Sequence, residues 1–420
     1  MVKFVTNKQS GKNLSDIKVN NQSVIYRAIR EAGAISRTDL AKRTGLNPST
    51  ITHISREMLN RSLIVDAGPG ESRGGRRSSL LQINAQYAYI IAVRLSRYNI
   101  QSILTDLNLN NGIRRTYISS SLAHPTDISI PTILDLIESM ILESGVDRSQ
   151  ILGVGICAPG PLDAHKGILF EPPNFPGWPG TPIRQIIETK LGFPTFVDND
   201  ANAAALAEKM FGGARELENF VYMLIEDGVG GGLMINGDIY RGENDAAGEI
   251  GHMTIDLNGE QCSCGNFGCL ELYTSLISVE EEVRQLISSG RSSLVEGLVK
   301  GDLDKISFDL IVQAALESDP AALEAIQTFT DALTVGIVNV INTFDPEAVL
   351  LGGKIGAAEE LILEPLKQQI SQRLMYRGEK SVSICFSELK SDATLIGAFS
   401  LVLHEFFQNP AFNANLEMSV

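Results

Sequence analysis

The chain has 420 residues, of which 44% are apolar and 20% are charged, and its formal net charge at pH 7 is −15. This composition is that of a globular protein and excludes a disordered or collagen-like chain, while the length allows two or three domains. No apolar run reaches the ~18 residues that a membrane span needs, and the first residues lack the apolar segment of a signal peptide. We therefore expect a cytoplasmic protein without membrane insertion, in which thiols stay reduced.

The net charge is distributed unevenly along the chain. Residues 1–84 contain 14 Lys and Arg against six Asp and Glu, a charge of +8, so the remaining residues carry −23. A basic segment joined to an acidic body is typical of a module that binds phosphate groups while the rest of the protein stays soluble. A basic surface without any ligand would give the same count, so the charge alone leaves both interpretations open.

The basic segment has the pattern of three helices. Apolar spacing predicts a first helix over residues 22–32. Ser36 is placed to cap a second helix over residues 37–44, and Gly45 supplies the turn that follows. Asn47, followed by a proline, begins a third helix. A short connection containing glycine between two helices is typical of a helix-turn-helix.

The third predicted helix has one apolar face and one polar face. Its polar side chains, Ser49, Thr52, His53, Arg56 and Asn60, are of a size that reaches base edges in the DNA major groove. A solvated surface helix shows the same face, and it is the capped three-helix pattern in a basic segment that favours DNA. The predicted DNA contacts of the helices are Arg37, Ser49, Thr50, Thr52, His53 and Arg56.

Two short strand-like runs, residues 63–65 and 80–83, enclose a loop rich in glycine and arginine. Glycine allows a close backbone approach, and arginine suits the negative potential of a narrow minor groove. The pattern predicts a wing in which Arg73, Arg76 and Arg77 contact DNA, with a flexible linker as the alternative. Residues 1–84 are thus predicted to form a winged helix-turn-helix domain that binds double-stranded operator DNA.

From residue 85 onward, strand-like runs alternate with helical spacing, which predicts an α/β body with sheet cores. The predicted strands are residues 89–93, 100–106, 151–157, 195–197, 221–225, 232–235 and 348–351, and the predicted helices include residues 133–143 and 332–344.

The strongest local signal is a cluster of one histidine and three cysteines within 18 residues. These residues are His252, Cys262, Cys264 and Cys269. They supply a complete tetrahedral ligand set, which predicts one structural Zn²⁺ per protomer rather than a catalytic ion with an open position. A cluster of reduced cysteines without metal is the alternative. Cys157 and Cys385 lie in apolar runs and are predicted to have no part in metal binding.

The histidine–cysteine stretch resembles the zinc motif of the ROK family (repressors, open reading frames and sugar kinases), and the resemblance extends from about residue 20 to 400. Residues 198–205 resemble the catalytic segment of that family, and residues 346–353 resemble its late glycine motif. The basic segment fused to this body resembles the repressor branch, which includes the glucose and N-acetylglucosamine repressors of enteric bacteria.

The resemblance implies an actin-like, ribonuclease H-like α/β body of two lobes with a sugar cleft between them, assembled as a homodimer or homotetramer. On this basis residues 85–198 together with 385–420 form the smaller lobe. Residues 199–384 form the larger lobe, which carries the zinc motif and the oligomerisation surface.

The resemblance also implies a sugar site. The residues it assigns are Gly160, Asn174, Asn199, Asp200, Glu249, His252 and Glu271. Carboxylates accept hydrogen bonds from hydroxyls, amides donate and accept, and a histidine bound to metal through one nitrogen presents its other N–H in a fixed direction. In kinases of the family, the residue that matches Asp200 is the general base that takes the proton from the attacking sugar hydroxyl.

Two segments depart from the kinase pattern. The kinases have Asp-x-Gly-Gly-Thr after the first strand of the body, whereas residues 94–98 here read Arg-Leu-Ser-Arg-Tyr. The second kinase loop, Gly-Thr-Gly, here reads Glu226-Asp227-Gly228. A backbone without glycines cannot wrap phosphates, and two acids repel them. We therefore predict that ATP is not used and that no catalytic residue is active.

Together these features predict a sugar-responsive DNA-binding transcriptional regulator of carbohydrate uptake or metabolism genes, with repression as the expected mode and a sugar or sugar phosphate as effector. An active sugar kinase that carries a DNA-binding domain is the alternative. A third interpretation is control by a protein partner, such as a sugar-transport component. Residues 401–407 could dock that partner, although core packing explains the same apolar pattern.

Overall fold

A computed structural model describes residues 14–70, 78–110, 112–119, 126–171, 176–375 and 382–408. These residues form an N-terminal domain of three helices and a small sheet, followed by two lobes that each contain a five-stranded sheet. The predicted fold class, a winged helix-turn-helix ahead of a two-lobe α/β body, is confirmed. The predicted wing residues Arg73, Arg76 and Arg77 and the predicted sugar residue Asn174 lie outside the described residues.

The N-terminal domain is built on three helices. Its elements are α1 (Leu14–Ala32), β1 (Ile35–Ser36), α2 (Arg37–Thr44), α3 (Pro48–Asn60), β2 (Ile64–Pro69) and β3 (Ser79–Ile83). The first helix begins at Leu14 rather than at residue 22, because the intervening residues contain no glycine or proline that would stop it. The three strands form one sheet in the order β1-β3-β2.

The predicted helix boundaries around the turn are largely confirmed. Ser36 caps α2, since its Oγ accepts the backbone N–H of Asp39 at 3.1 Å, and Gly45 ends the helix with φ +69°. Pro48 is at the first position of α3. Asn47 occupies the N-cap position with extended backbone, but its side chain makes no capping hydrogen bond to any described residue. That part of the prediction is wrong, and the proline start alone marks the helix.

The smaller lobe contains a mixed sheet covered on both faces. Its elements are β4 (Tyr89–Leu95), β5 (Asn99–Asp106), β6 (Ile113–Ile118), α4 (Thr126–Ser144), β7 (Ile151–Ala158), β8 (Leu162–Asp163), β9 (Ile168–Leu169), α5 (Ile183–Leu191) and β10 (Thr195–Asn199). The main sheet has the order β10-β7-β4-β5-β6, with β10, β7 and β4 parallel. All eight residues of β7 are buried, as expected for a central parallel strand.

The larger lobe follows after the helix α6 (Asp200–Met210), which lies between the lobes. Its elements are β11 (Phe220–Ile225), β12 (Val229–Ile235), β13 (Asp238–Ile239), α7 (Glu271–Thr274), α8 (Leu276–Ser288), α9 (Leu294–Leu298), α10 (Phe308–Leu316), α11 (Pro320–Phe344), β14 (Ala348–Gly352), α12 (Glu359–Arg373) and β15 (Ser383–Phe386). The sheet order is β13-β12-β11-β14-β15.

The long helix α11 is the one described helix whose length and composition would suffice to cross a membrane. Of its apolar stretch, 61% is buried inside the protein, where it packs against α8, α10 and α12. It is therefore the central core helix of the larger lobe.

The last described helix, α13 (Ala393–Gln408), returns to the smaller lobe and packs on α6, β4 and β7. The boundary predicted at residue 385 falls inside β15, which pairs in parallel with β14 of the larger lobe. The boundary is therefore wrong by a few residues, because the strand completes the larger-lobe sheet before the chain crosses back.

The N-terminal domain shares one apolar core with the smaller lobe. The ring of Tyr26 on α1 contacts that of Phe407 on α13, with centroids 4.0 Å apart and the ring planes tilted by 37°. Leu403 and Phe406 are buried in the same core. These residues therefore contribute to packing, and the interpretation of residues 401–407 as a docking helix is wrong.

Candidate functional site

A cavity of about 170 Å³ lies between the two lobes. One side is lined by most of the residues that the resemblance assigned to sugar binding, namely Gly160, Asn199, Asp200, Glu249, His252 and Glu271. The cavity is also lined by charged and aromatic residues from both lobes, which include Arg94, Arg97, Tyr98, Glu226, Asp227 and Lys354. All the predicted sugar residues that the structure describes thus meet at one cavity.

The turn between β10 and α6 brings polar residues into the cavity wall. Asn199 caps α6, and its Oδ1 accepts the backbone N–H of Ala201 at 2.9 Å. Behind it, the buried Asp198 carboxylate accepts from Nδ2 of Asn202 at 3.1 Å and from Nη2 of Arg241 at 2.5 Å. Since Arg241 follows β13, the turn is held from both lobes. Because this bond occupies Oδ1 of Asn199, the Nδ2 amide nitrogen is left to face a ligand.

Asp200 is the first residue of α6 and lines the cavity. Burial and the nearby Glu226 carboxylate raise the pKa of Asp200 to about 7, although the Arg94 guanidinium opposes the rise. The backbone N–H of Ala201 donates to Oδ1 of Asp200 at 2.8 Å. An acid with a pKa near neutrality can accept a proton from a hydroxyl or donate one, so the arrangement suits a hydroxyl-bearing ligand.

Gly160 lines the cavity between residues of the two lobes. A Cβ on this residue would lie 3.0 Å from Nδ2 of Asn199 and 3.6 Å from Oε1 of Glu249. The glycine therefore keeps open a space between an amide on one lobe and a carboxylate on the other. A ligand in this space would be held from both sides.

Glu249, His252 and Glu271 form the larger-lobe side of the cavity. Oε2 of Glu249 lies 3.9 Å from Nε2 of His252. Oε2 of Glu271, at the start of α7, accepts the backbone N–H of Val229 at 2.9 Å. Burial raises the pKa of Glu249 above its usual range. This side thus presents carboxylate acceptors next to a histidine ring.

The histidine–cysteine cluster lies directly behind the cavity. The possible ligand atoms of His252, Cys262, Cys264 and Cys269 all lie within 4.8 Å of one another. Sγ of Cys262 is 3.7 Å from Nδ1 of His252, and Sγ of Cys264 is 3.8 Å from Sγ of Cys269. A tetrahedral Zn²⁺ with its usual bond lengths would place two sulfurs about 3.8 Å apart and a sulfur and a nitrogen about 3.6 Å apart. The four residues therefore fit a metal ion.

The orientation of the His252 ring connects the cluster to the cavity. Its Nδ1 faces the sulfur atoms, and its Nε2 faces Glu249 at the cavity wall. A metal on Nδ1 would leave the proton on Nε2, which then points toward the cavity. Among the described residues, Cys157 and Cys385 belong to no such cluster.

An ion pair between the lobes forms part of the cavity wall. Nη2 of Arg94, on β4, lies 2.5 Å from Oε2 of Glu226, which follows β11. Arg94 is only 7% exposed, and its Nη1 also donates to Gln101 at 3.3 Å. Nearby, Nζ of Lys354 lies 5.9 Å from the centre of the Tyr98 ring. Basic and acidic side chains from both lobes thus neutralise one another here.

The outer face of α3 is exposed as predicted. Its exposed polar residues are Ser49, Thr52, His53, Arg56 and Asn60, while Thr50 is half-buried. Ile51, Ile54 and Met58 are buried on the opposite face. The face is thus available to a groove of DNA.

Two details of this face were not predicted. Nε of Arg37 donates to Oγ of the buried Ser55 at 3.0 Å, so Arg37 joins α2 to α3. Glu57 lies 3.3 Å from Nε2 of His53 and 2.9 Å from Nζ of Lys18. The spacing of four residues between His53 and Glu57 was the available signal, since such residues are neighbours on a helix.

The sequence models of known families match both parts of this architecture. The model described as ROK family matches residues 90–405, and the model described as winged helix-turn-helix DNA-binding matches residues 21–65. The chain belongs to the ROK family. The first match covers the whole two-lobe body with its cavity and metal cluster, and the second covers the helices that expose the polar face.

A repressor and a transcriptional regulator are similar to this chain over nearly their whole length. A putative xylose repressor from Caldicellulosiruptor sp. is 31% identical over 396 residues, which are 94% of this chain and 98% of that protein. A crystal structure of a ROK family transcriptional regulator, a homologue of the Escherichia coli MLC protein, is 30% identical with a TM-score of 0.80, and the match covers 96% of this chain and 100% of that one.

A ROK kinase is similar over about three quarters of this chain. The crystal structure of a ROK family glucokinase from Streptomyces griseus, in complex with glucose and AMPPNP, is 26% identical with a TM-score of 0.64. The match covers 74% of this chain and 98% of the glucokinase. The ROK body of this chain therefore has the actin-like fold of a sugar kinase, joined to a DNA-binding domain.

Proposed function

We propose that the protein is a sugar-responsive transcriptional repressor, in which the cavity between the lobes binds the sugar and α3 reads operator DNA. The observation that carries the proposal is the combination, in one ROK chain, of an exposed polar helix on a winged helix-turn-helix with a cavity lined by acids, an amide and a histidine. The similarity to a xylose repressor over 98% of its length supports the same function. A repressor acts on DNA, so the proposal places the protein in the cytoplasm.

The sugar would be held by residues of both lobes. Asn199 and Asp200 would bind hydroxyls from the smaller-lobe side, and Glu249, His252 and Glu271 from the larger-lobe side. Carboxylates accept the hydroxyl protons, and the amide of Asn199 can donate to a hydroxyl oxygen. A ligand that bridges two lobes favours the arrangement in which they are closest, and it shifts the protein toward that state.

The metal would be Zn²⁺ in a structural role. Three thiolates and one imidazole are a common structural zinc set, and no ligand position is left for water. When bound, the ion would hold residues 252–269 together and fix the His252 ring against the sugar. Loss of the ion would then loosen the larger-lobe wall of the cavity.

The ion pair between Arg94 and Glu226 argues against ATP use. In the ROK kinases a phosphate loop follows the first strand of the body, and here Arg94, the next-to-last residue of that strand, reaches across to Glu226. Triphosphate and Mg²⁺ would have to displace this buried pair, and Glu226 and Asp227 would repel the phosphates. An active ROK kinase remains the second candidate, because the glucokinase shares the body and Asp200 lines the cavity.

We further propose that the protein acts as a homodimer or homotetramer through its larger lobe. Helix-turn-helix proteins bind paired half-sites with two copies of the domain, so a single copy would contact only half of a palindromic operator. Control by a protein partner stays an additional hypothesis, which the buried residues of α13 do not support.

The test is a fluorescence-anisotropy titration of DNA duplexes that the protein selects from a random pool. The titration is repeated with D-xylose, D-glucose, N-acetyl-D-glucosamine and the 6-phosphates of the two hexoses. We expect selective binding that one of these compounds reverses. Binding without sequence preference, or binding that none of them changes, contradicts the proposal. In parallel, phosphorylation of a sugar by ATP that is abolished in Asp200→Asn would establish the kinase instead.

A further inference from the structure

We propose that α6 carries the sugar signal to the DNA-binding domain, and that the contact of Phe211 with Arg30 is where the signal crosses between them. This inference rests on the proposed function, since it describes the regulation of the same sugar site. Three observations support it: where α6 begins and ends, what packs on its sides, and how it meets α1.

The helix α6 connects the two places that must communicate. Its N-cap Asn199 and its first residue Asp200 line the cavity, and its last residue Met210 lies at the junction with α1. Eleven residues of α-helix span about 16 Å. Residues 201–208 are all buried, so the helix is supported along its length.

Both lobes press directly on α6. A Cβ at Gly232 of β12 would collide with the carbonyl oxygen of Ala201, and a Cβ at Gly397 of α13 would collide with that of Ala203. The first glycine belongs to the larger-lobe sheet and the second to the helix that covers the smaller lobe. Because packed cores deform little, a change in the angle between the lobes must displace α6.

Phe211, the residue that follows α6, contacts the DNA-binding domain. The guanidinium of Arg30, on α1, lies 4.7 Å from the centre of the Phe211 ring. Among the described residues, no hydrogen-bond partner reaches Nη1 of Arg30. Burial lowers the pKa of Arg30 to about 10, which still leaves it charged at pH 7. The ring face is thus one partner of this half-buried cation.

The junction also contains room for movement. A space of about 30 Å³ lies between α1, α6 and α13, lined by Arg27, Arg30, Met210, His404 and Phe407. One exposed polar link at the junction, Arg43 to Glu216 at 3.6 Å, is weak. A shift of Phe211 would consequently be transmitted to Arg30 and tilt α1, which changes the position of α3 relative to its copy in an oligomer.

The test compares Phe211→Leu and Arg30→Lys with the matched control Phe193→Leu. In the control pair, Arg148 lies 4.7 Å from the centre of the Phe193 ring, within the smaller lobe. The measured quantity is the ratio of operator Kd values with and without sugar, using D-xylose, D-glucose or N-acetyl-D-glucosamine, whichever releases the wild type. Because coupling is reciprocal, the sugar Kd with and without operator must give the same ratio.

We expect both junction variants to bind operator in the absence of sugar, and sugar in the absence of DNA, with Kd values within about three-fold of wild type. The ratio of operator Kd values with and without sugar should nevertheless be at least about five-fold smaller than in wild type. The control should keep the wild-type ratio. Junction variants with a full ratio, or an equal loss in Phe193→Leu, would overturn the inference while leaving the repressor function intact. A wild type that responds to none of these three sugars and to neither of the two 6-phosphates of the operator titration would instead overturn the proposed function, and the inference with it.

Discussion

Arg94 and Glu226 join the two lobes through a nearly buried ion pair, with 2.5 Å between Nη2 and Oε2. The pair stands beside Asp200, and its two charges act on the pKa of that acid in opposite directions. It thus ties the lobes together at the wall of the cavity.

Breaking this pair from one side should destabilise the protein. Arg94→Met leaves Glu226 buried without its partner, which costs about 3–5 kcal/mol, whereas Arg94→Met with Glu226→Leu restores much of the loss. Thermal unfolding should therefore show a lower Tm for the single variant and recovery in the double variant. Sugar-dependent release of operator should survive in the double variant, and an absent response there would show that the pair belongs to the sensor.

Glu249 should contribute to sugar affinity and not to folding. Glu249→Ala removes a hydrogen bond to a charged acceptor, worth about 1.5–3 kcal/mol, so operator release should need about 10- to 100-fold more sugar. Glu249→Gln keeps an acceptor and should lose less. Metal content and sugar-free operator binding are measured alongside, and a normal sugar response in Glu249→Ala would remove this residue from the site.

The stability of the sugar-free protein should depend on pH through the protonation of Asp200. Its pKa is about 7 in the folded protein, above its ordinary value of 3.8, because of burial and Glu226. The folded state therefore holds a proton that the unfolded state loses, and this contribution is full below about pH 4 and declines until about pH 7. From pH 5 to pH 8 the wild type should lose this contribution, so the Tm of Asp200→Asn minus the Tm of wild type should increase by several degrees. A constant difference would contradict the raised pKa.

Each chain should bind one zinc ion. Metal analysis of the purified protein should give one equivalent, and Cys264→Ser should lose most of it together with several degrees of Tm. Cys385→Ser, which alters a thiol of the larger lobe outside the cluster, is the matched control and should retain the metal. Full zinc content in Cys264→Ser would refute the ligand set.

The outer face of α3 should determine which DNA sequence is bound. Arg56→Ala and His53→Ala should weaken binding to selected duplexes by about 1–3 kcal/mol and to random duplexes much less. Arg37→Ala should instead lower Tm, because Arg37 bonds to the buried Ser55. Equal losses on selected and random DNA for Arg56→Ala would mean that another surface reads the sequence.

Much of this architecture could be predicted from local patterns in the sequence. Ser36, Gly45 and Pro48 marked the helices of the DNA-binding domain through backbone chemistry that acts within a few residues. The close spacing of histidine and cysteines revealed the metal cluster for the same reason. The sugar residues were assigned through the family resemblance, because no spacing relates Asp200 to Glu249 along the chain.

The contacts across the lobes could not be predicted. Arg94 and Glu226 are 132 positions apart, and Asp198 and Arg241 are 43 apart, so their pairing depends on how two separate sheets meet. The same limit explains the misplaced lobe boundary at residue 385. The apolar pattern of a strand and of the helix after it is the same whether the two elements belong to one lobe or to different lobes.

The contact of Tyr26 with Phe407 joins α1, the first described helix, to α13, the last one. The DNA-binding domain leaves the ribosome long before α13 is made, so its docking face stays uncovered until the end of translation. A product that stops before Ala393 would retain α3 but lack the helix that packs on α1, α6, β4 and β7. Prematurely terminated chains should therefore expose the apolar surfaces of α1, β4 and β7 that α13 covers, and should be degraded rather than occupy operators.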